Sequence, residues 1–271
     1  MTTLVQPVND TKDPIVRDDL ALNAPQKPLI MGGGIVGLMV LAYLLATQHI
    51  SQSLLLGIGL LLGYTLFHAR FGFTSAFRRM MAVGNGQAMR SHMLMLAVAV
   101  TLFAPILAYG TTLFGGPVAG YVAPLGVSLV VGAFVFGIGM QLGGGCASGT
   151  LYAVGGGRSV MFITFIFFIV GATIGAYHLP FWTEEMPAYA PFSLATSTGL
   201  GYTGAWLVSL AIFGIIAWVT LVVEKKRNAP KMAPVPSESG WKRIFRGSWP
   251  LFAAAIVLAL LNGLTLLTRG Q

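Results

Sequence analysis

The chain has 271 residues, of which 55% are hydrophobic and only 9% charged, and its formal net charge is +8. Because a soluble domain carries about 25% charged residues, this composition excludes an ordinary soluble protein and predicts a helical membrane protein. A single cysteine excludes an intramolecular disulfide and a multi-cysteine metal site. The four histidines show no metal-ligand spacing. We therefore predict neither a metal nor a cofactor.

Residues 1–27 are polar and lack the apolar core and cleavage site of a signal peptide. They are predicted to form a disordered cytoplasmic tail. A membrane span needs about 20 apolar residues, and the remaining chain supplies seven such segments: 29–47, 52–68, 92–109, 118–141, 159–180, 201–223 and 249–267. The predicted fold class is therefore an all-α membrane protein of about seven transmembrane helices, with the lipid bilayer as its environment.

The basic residues predict an orientation. All but Arg269 of the 16 Lys and Arg residues lie in the tail or in alternate loops. Since such loops stay on the cytoplasmic side, the N-terminus is predicted to be cytoplasmic. The organisation is then a membrane domain at 28–223, a basic cytoplasmic linker at 224–248 and a final helix at 249–271. The positive charge reflects this topology, and nucleic acid is not a predicted partner.

Two loops mix apolar and small polar residues and are too short to span the membrane. We call residues 69–91 the first loop and residues 142–158 the second loop. Both are predicted to re-enter the membrane as short half-helices, a device of transporters, with short interfacial helices as the alternative. In the first loop, Phe71, Phe73 and Phe77 are expected to pack the segment down. His68, just before it, is either an interfacial residue or a gate.

The second loop contains the only cysteine, between glycines and hydroxyl side chains. Backbone N–H groups at a helix N-terminus favour anions, and glycines let an anion approach them closely. A neutral thiol would add a weak S–H donor suited to a soft sulfur atom. Alternatively, the cysteine is a small buried hydrophobe and the glycines serve helix packing. The candidate substrate-binding residues here are Gly143, Gly144, Gly145, Cys146, Ser148, Gly149 and Thr150.

The run from Gly137 to Gly149 resembles the glycine–cysteine signature of the YeeE/YedE family of sulfur-transport membrane proteins, and Arg70 to Arg78 is similar to that family's first-loop signature. The resemblance implies uptake of thiosulfate or a related sulfur anion across the bacterial inner membrane, relayed by thiols. It adds Gly72 and Ser75 to the candidate site. Family members often carry a cysteine where this chain has Gly72, and they are typically longer.

An internal repeat points in the same direction. Residues 60–67 and 260–267 are identical at five of eight positions. If the last span opens a second copy, it lies five spans after the second span, and this odd offset inverts the copy, as in inverted-repeat transporters. The chain then holds one half of such an architecture. A homodimer or a second half-transporter chain is expected to supply the rest, unless the chain is a truncated product.

Three functions remain open from the sequence. The leading one is a permease for a thiosulfate-like anion. The second is a membrane sulfurtransferase that carries a persulfide on Cys146. No His, Asp or Glu lies between His92 and His178 to act as its acid or base, so an enzyme is not the prediction. The third is an assembly subunit of another membrane protein.

Overall fold

The structure, a computed structural model, describes residues 27–47, 50–118, 120–228 and 249–269. The predicted tail up to residue 26 and most of the basic linker lie outside these residues. The helices in chain order are α1 Lys27–Thr47, α2 Ile50–Ala69, α3 Phe73–Val83, α4 Gln87–Tyr109, α5 Val127–Leu142, α6 Ala147–Gly155, α7 Ser159–Tyr177, α8 Gly201–Lys226 and α9 Leu251–Arg269.

The predicted all-α membrane fold is confirmed. Within the described residues, six helices are long and apolar enough to cross a membrane, and α1 contributes a shorter apolar stretch, Met31–Thr47. Large apolar side chains point outward along these helices; Phe134 and Phe167, for example, are each 70% exposed. Such surfaces are costly in water, and a surrounding bilayer removes that cost.

The chain divides between Ser53 and Leu54 into two units. The first unit holds α1 and the beginning of α2. The second holds the rest of α2 and the helices α3 to α9. Both loops, and every contact described below, lie within the second unit.

The predicted span 118–141 is wrong at its N-terminal end, because α5 begins only at Val127. Pro124 disfavours helical backbone at the residue before it. After it, the strand β1, Leu125–Gly126, pairs antiparallel with β2, Ala188–Tyr189. This short ladder ties together two loops that carry no Lys or Arg. At the other end of the domain, α8 continues to Lys226, so residues 224–226 of the predicted linker are helical.

Helix α4 is the centre of the second unit and packs against α8 and α9. The α9 face that carries Ala254, Ala255 and Leu258 is fully buried and contacts Ala69 and Phe71 at the start of the first loop. Farther along, a Cβ at Gly263 would lie 3.2 Å from a methyl group of Leu102, so α9 and α4 approach closely there. The core therefore fixes the beginning of the first loop.

Each predicted loop contains a short helix, α3 in the first and α6 in the second. These helices occupy the places predicted for half-helices. Their depth in the bilayer, and the inverted repeat, stay predictions.

Candidate functional site

The second loop begins where α5 ends. The Gly143 N–H donates to the Gly139 carbonyl at 2.8 Å and closes the last turn of α5. Gly144 then has a φ of +75°, in the left-handed region that favours glycine. The chain turns there into Cys146, which occupies the N-cap of α6 in an extended conformation.

The thiol of Cys146 lies over the first turn of α6. Its Sγ is 3.5 Å from the Ser148 Oγ, and it would lie 3.3 Å from a Cβ at Gly149. No side chain caps the N-terminus of α6. The backbone N–H of Thr150 donates to the Cys146 carbonyl at 2.8 Å, which is the first bond of the helix. The N–H groups before it keep the partial positive charge of a helix N-terminus.

The glycines of the second loop are also packing residues. A Cβ at Gly145 would lie 2.9 Å from the Thr150 Oγ1 and 3.1 Å from the Met161 Cε, and one at Gly143 would lie 3.1 Å from a methyl group of Thr164. The α6 turn therefore sits tightly against α7. Of the predicted residues, Gly149 and Thr150 are buried, Cys146 is half-buried, and Ser148 is exposed.

The first loop repeats this arrangement without a thiol. Gly72 occupies the N-cap of α3 in an extended conformation, and no side chain caps that helix either. The Ser75 hydroxyl donates to the Gly72 carbonyl at 2.8 Å. Gly72 and Cys146 therefore hold equivalent positions, each at the start of a short helix.

The first loop lies against the end of α5 and against the second loop. The Arg78 guanidinium donates to the Gln141 carbonyl, in the last turn of α5, at 3.0 Å. A Cβ at Gly72 would lie 3.5 Å from the Tyr152 hydroxyl, and Tyr152 also borders Gly149. Tyr152 thus lies between the first loop and the Cys146 turn. The sequence analysis did not single out Tyr152, whose spacing from Cys146 carries no recognised signature.

The predicted site residues do not line one common cavity. Gly72 and Ser75 line a cavity of about 140 Å³ beside α4 and α9. Ser148 and Tyr152 line an open groove of about 580 Å³ against α2. Tyr152 is the side chain that links the two regions. Among the described residues, no group of three His, Cys, Asp or Glu side chains is arranged to hold a metal ion.

The aromatic side chains of the first loop pack the segment down, as expected. The sequence does not predict their partner, the His92 ring. Phe71 is buried and stacks on the His92 ring at a centroid distance of 4.1 Å, and Phe73 contacts the same ring at 4.2 Å. Phe77 stacks on Phe73 and is 38% exposed. His68 contacts the rings of Tyr64 and Trp249 and lines the cavity beside the first loop.

An ion pair that the sequence analysis missed anchors the far end of the first loop. Arg90 was placed in the loop and Glu224 outside the spans, whereas both lie in helices, α4 and α8. Arg90 donates to the Glu224 carboxylate at 2.6 Å, and the Gly86 N–H donates to the same oxygen at 3.2 Å. Arg227 donates to the Met81 carbonyl at 3.1 Å. These bonds tie the end of α8 to α3 and α4.

Comparisons with known proteins agree with this architecture. A family model described as sulphur transport matches residues 68–271. The thiosulfate transporter TsuA of Escherichia coli is 29% identical over 208 residues, which cover 75% of this chain and 56% of that protein. TsuA of Spirochaeta thermophila is 26% identical over 78% of this chain and 61% of its own length. The probable transporter YedE of Salmonella typhimurium is 29% identical over 54% of this chain and 34% of its own. The match thus spans little more than half the length of the two TsuA proteins and about a third of YedE.

Proposed function

The chain belongs to the sulphur transport family, and on that premise we propose that it carries thiosulfate or a related sulfur anion inward across the bacterial inner membrane. The observation that carries this proposal most directly is the position of Cys146. A half-buried thiol stands at the uncapped N-terminus of α6, where backbone N–H groups attract an anion.

The chemistry of that position suits a sulfur oxyanion. The N–H groups of the first turn of α6 would bind the anion's oxygens, and the Cys146 S–H would donate to its terminal sulfur. A thiolate would repel the anion, so the resting thiol is proposed to be neutral. The Ser148 hydroxyl, whose oxygen lies 3.5 Å from the Sγ, offers a second side-chain donor.

The link between the loops supports a path from one to the other. Gly72 and Cys146 occupy equivalent caps, and Tyr152 lies between them. An anion leaving Cys146 would meet the Tyr152 hydroxyl and then the N-terminus of α3, where Ser75 and Gly72 lie. This chain lacks a relay thiol at the N-terminus of α3.

We further propose that the N-terminus and the basic loops face the cytoplasm, because all but one of the Lys and Arg residues lie in the N-terminal tail or in and beside alternate loops. We also propose that the chain shares the pathway with a second copy or with a partner chain. Chemical cross-linking in native membranes, followed by mass spectrometry of the products, distinguishes a homodimer from a hetero-assembly.

Transport rather than catalysis is proposed because the relatives are named as transporters and because no His, Asp or Glu occurs between His92 and His178 to assist a reaction at Cys146. A stable persulfide on Cys146 in the resting protein, found by intact-mass spectrometry, would contradict this part of the proposal.

Uptake of radiolabelled thiosulfate by bacteria that lack other importers tests the function. Expression of the wild-type chain should produce uptake above the empty vector, and Cys146→Ala should abolish most of it. Thr173→Val is the control, because this exposed hydroxyl donates to the Ile169 carbonyl of its own helix. Equal uptake by wild type and Cys146→Ala, at equal protein levels in the membrane, would remove the thiol from the mechanism.

A further inference from the structure

A groove runs between α3 and the last turns of α5 and opens on the surface of the membrane domain. Phe77, Met81 and Ala82 of α3 line one side, and Gly137 and Met140 of α5 line the other. The groove holds about 650 Å³. Met81 is 72% exposed, and no heavy atom lies within 4 Å of a Cβ added at Gly137. Among the described residues, the floor of the groove is therefore apolar and open.

Two guanidinium groups stand at this groove. Arg78 lines it and donates to the Gln141 carbonyl at 3.0 Å. Arg227, which directly follows α8, donates to the Met81 carbonyl at 3.1 Å. Both arginines are exposed. Because Arg78 and Met81 are three residues apart on α3, the two guanidinium groups meet that helix within about one turn.

The described part of the chain does not neutralise these two charges. A guanidinium group carries several N–H donors, and a hydrogen bond to a neutral carbonyl leaves its charge in place. Neither Arg78 nor Arg227 forms an ion pair with a described residue, and no described carboxylate lines the groove. Glu224, three residues before Arg227, is already bound by Arg90 and by the Gly86 N–H. The groove thus combines an apolar floor with unmatched positive charge.

We propose that this groove binds one anionic phospholipid, with an acyl chain on the floor between α3 and α5 and the phosphate at Arg78 and Arg227. Charge complementarity selects this occupant. A free oxyanion would leave the apolar floor uncovered, and an apolar helix of another chain would leave both guanidinium groups unmatched. Guanidinium groups suit phosphate oxygens, and basic residues beside membrane spans attract anionic lipids. Such a site requires only the membrane fold and is independent of thiosulfate transport.

A lipid in this position holds α3 against α5. The Arg78 bond to Gln141 joins the two helices at the groove, and an acyl chain adds apolar contact to Phe77, Met81 and Met140. Helix α3 belongs to the first loop, and α5 leads into the second loop. The lipid therefore braces the two loops from the membrane side.

Native mass spectrometry of the full chain tests the site, because it resolves the first lipid that binds. The purified protein is titrated with phosphatidylglycerol and with phosphatidylcholine that carries the same acyl chains. A basic residue near the membrane surface favours anionic lipid about fivefold, so two guanidinium groups predict a first site about 25-fold tighter for phosphatidylglycerol. Equal affinity for the two lipids would overturn the proposal without any variant. Excess glycerophosphoglycerol, the headgroup without acyl chains, should not displace the lipid; displacement would refute the role of the apolar floor.

Charge variants locate the headgroup. Arg78→Gln and Arg227→Gln should each weaken phosphatidylglycerol binding about fivefold and leave phosphatidylcholine binding unchanged. Arg158→Gln is the control, because Arg158 is exposed and does not line the groove. Equal losses in Arg158→Gln and Arg78→Gln would mean a diffuse attraction to basic residues and would refute a site at this groove.

Groove variants locate the acyl chain without removing a charge. Gly137→Leu places a side chain on the floor and should weaken phosphatidylglycerol binding about tenfold, the effect of losing about two buried methylene groups. Gly132→Leu is the matched control, because Gly132 lies on the same helix, has open space around it and does not line the groove. Equal affinities of the two variants would refute the groove as the acyl-chain site. A wild-type dimer that Gly137→Leu disrupts, with lipid binding unchanged, would overturn the proposal in favour of a second copy.

Discussion

Gly145→Ala distinguishes the packing role of the second-loop glycines from their proposed role in anion approach. The added Cβ would lie 2.9 Å from the Thr150 Oγ1, 3.1 Å from the Thr150 backbone nitrogen and 3.1 Å from the Met161 Cε. The Met161 methyl group can move aside, but Thr150 is buried and one of its two clashing atoms is backbone. Gly145 does not have a positive φ, so the penalty comes from packing and not from backbone strain.

Overpacking of this kind costs about 1–3 kcal/mol, and about 1.4 kcal/mol corresponds to a tenfold change in the folded-to-unfolded ratio. Gly137→Ala in α5 is the matched control, because no heavy atom lies within 4 Å of its added Cβ. Alanine inside a helix is favoured over glycine by about 0.5–1 kcal/mol. The assay is unfolding of both variants and wild type in detergent micelles. Equal stability of Gly145→Ala and Gly137→Ala would refute the packing argument.

Three further predictions concern the surroundings of the site. Gly72→Cys should fold as wild type, since the nearest atoms to the added Cβ would be 3.5 and 3.8 Å away. The variant should then carry a second thiol that maleimide labels. Failure of the variant to accumulate in the membrane would contradict this prediction. Glu224→Gln should cost about 1–3 kcal/mol of unfolding free energy, since its carboxylate binds both Arg90 and the Gly86 N–H; an unchanged melting temperature would show that the pair contributes nothing. Gly263→Leu should cost about 1–3 kcal/mol of unfolding free energy, because Leu102 lies 3.2 Å from the Cβ position of residue 263. Gly214→Leu is the control and should be tolerated, because the space around Gly214 is open. Equal stability of the two variants would argue against close packing of α9 on α4.

The sequence predicts the long helices well because each is a continuous apolar stretch, and a bilayer requires such stretches. It also predicts a structured element in each loop, from the mixture of apolar and small polar residues. It fails at the start of α5, where the apolar residues 118–123 continue the hydropathy signal although Pro124 prevents a continuous helix. The pairing of β1 with β2 depends on residues far apart in the chain, which no local pattern records.

The sequence predicts candidate site residues and not how they are arranged. The Gly–Cys run predicts Cys146 at a helix start, whereas the left-handed turn at Gly144 is seen only in the structure. The sequence does not predict that Gly143 and Gly145 pack against α7, nor that Tyr152 joins the two loops. No sequence pattern singles out His92. Its stacking on Phe71 and its contact with Phe73 follow only from tertiary structure, as does an Nε2 atom with no hydrogen-bond partner among the described residues.

Protection of Cys146 from chemical modification tests the central claim most directly. Because the chain has one cysteine, maleimide labelling of the purified protein reports on that thiol alone. Thiosulfate should slow the labelling in a saturable manner, and chloride at the same ionic strength should not. Labelling rates that are identical with and without thiosulfate would contradict the assignment of Cys146 to the anion pathway.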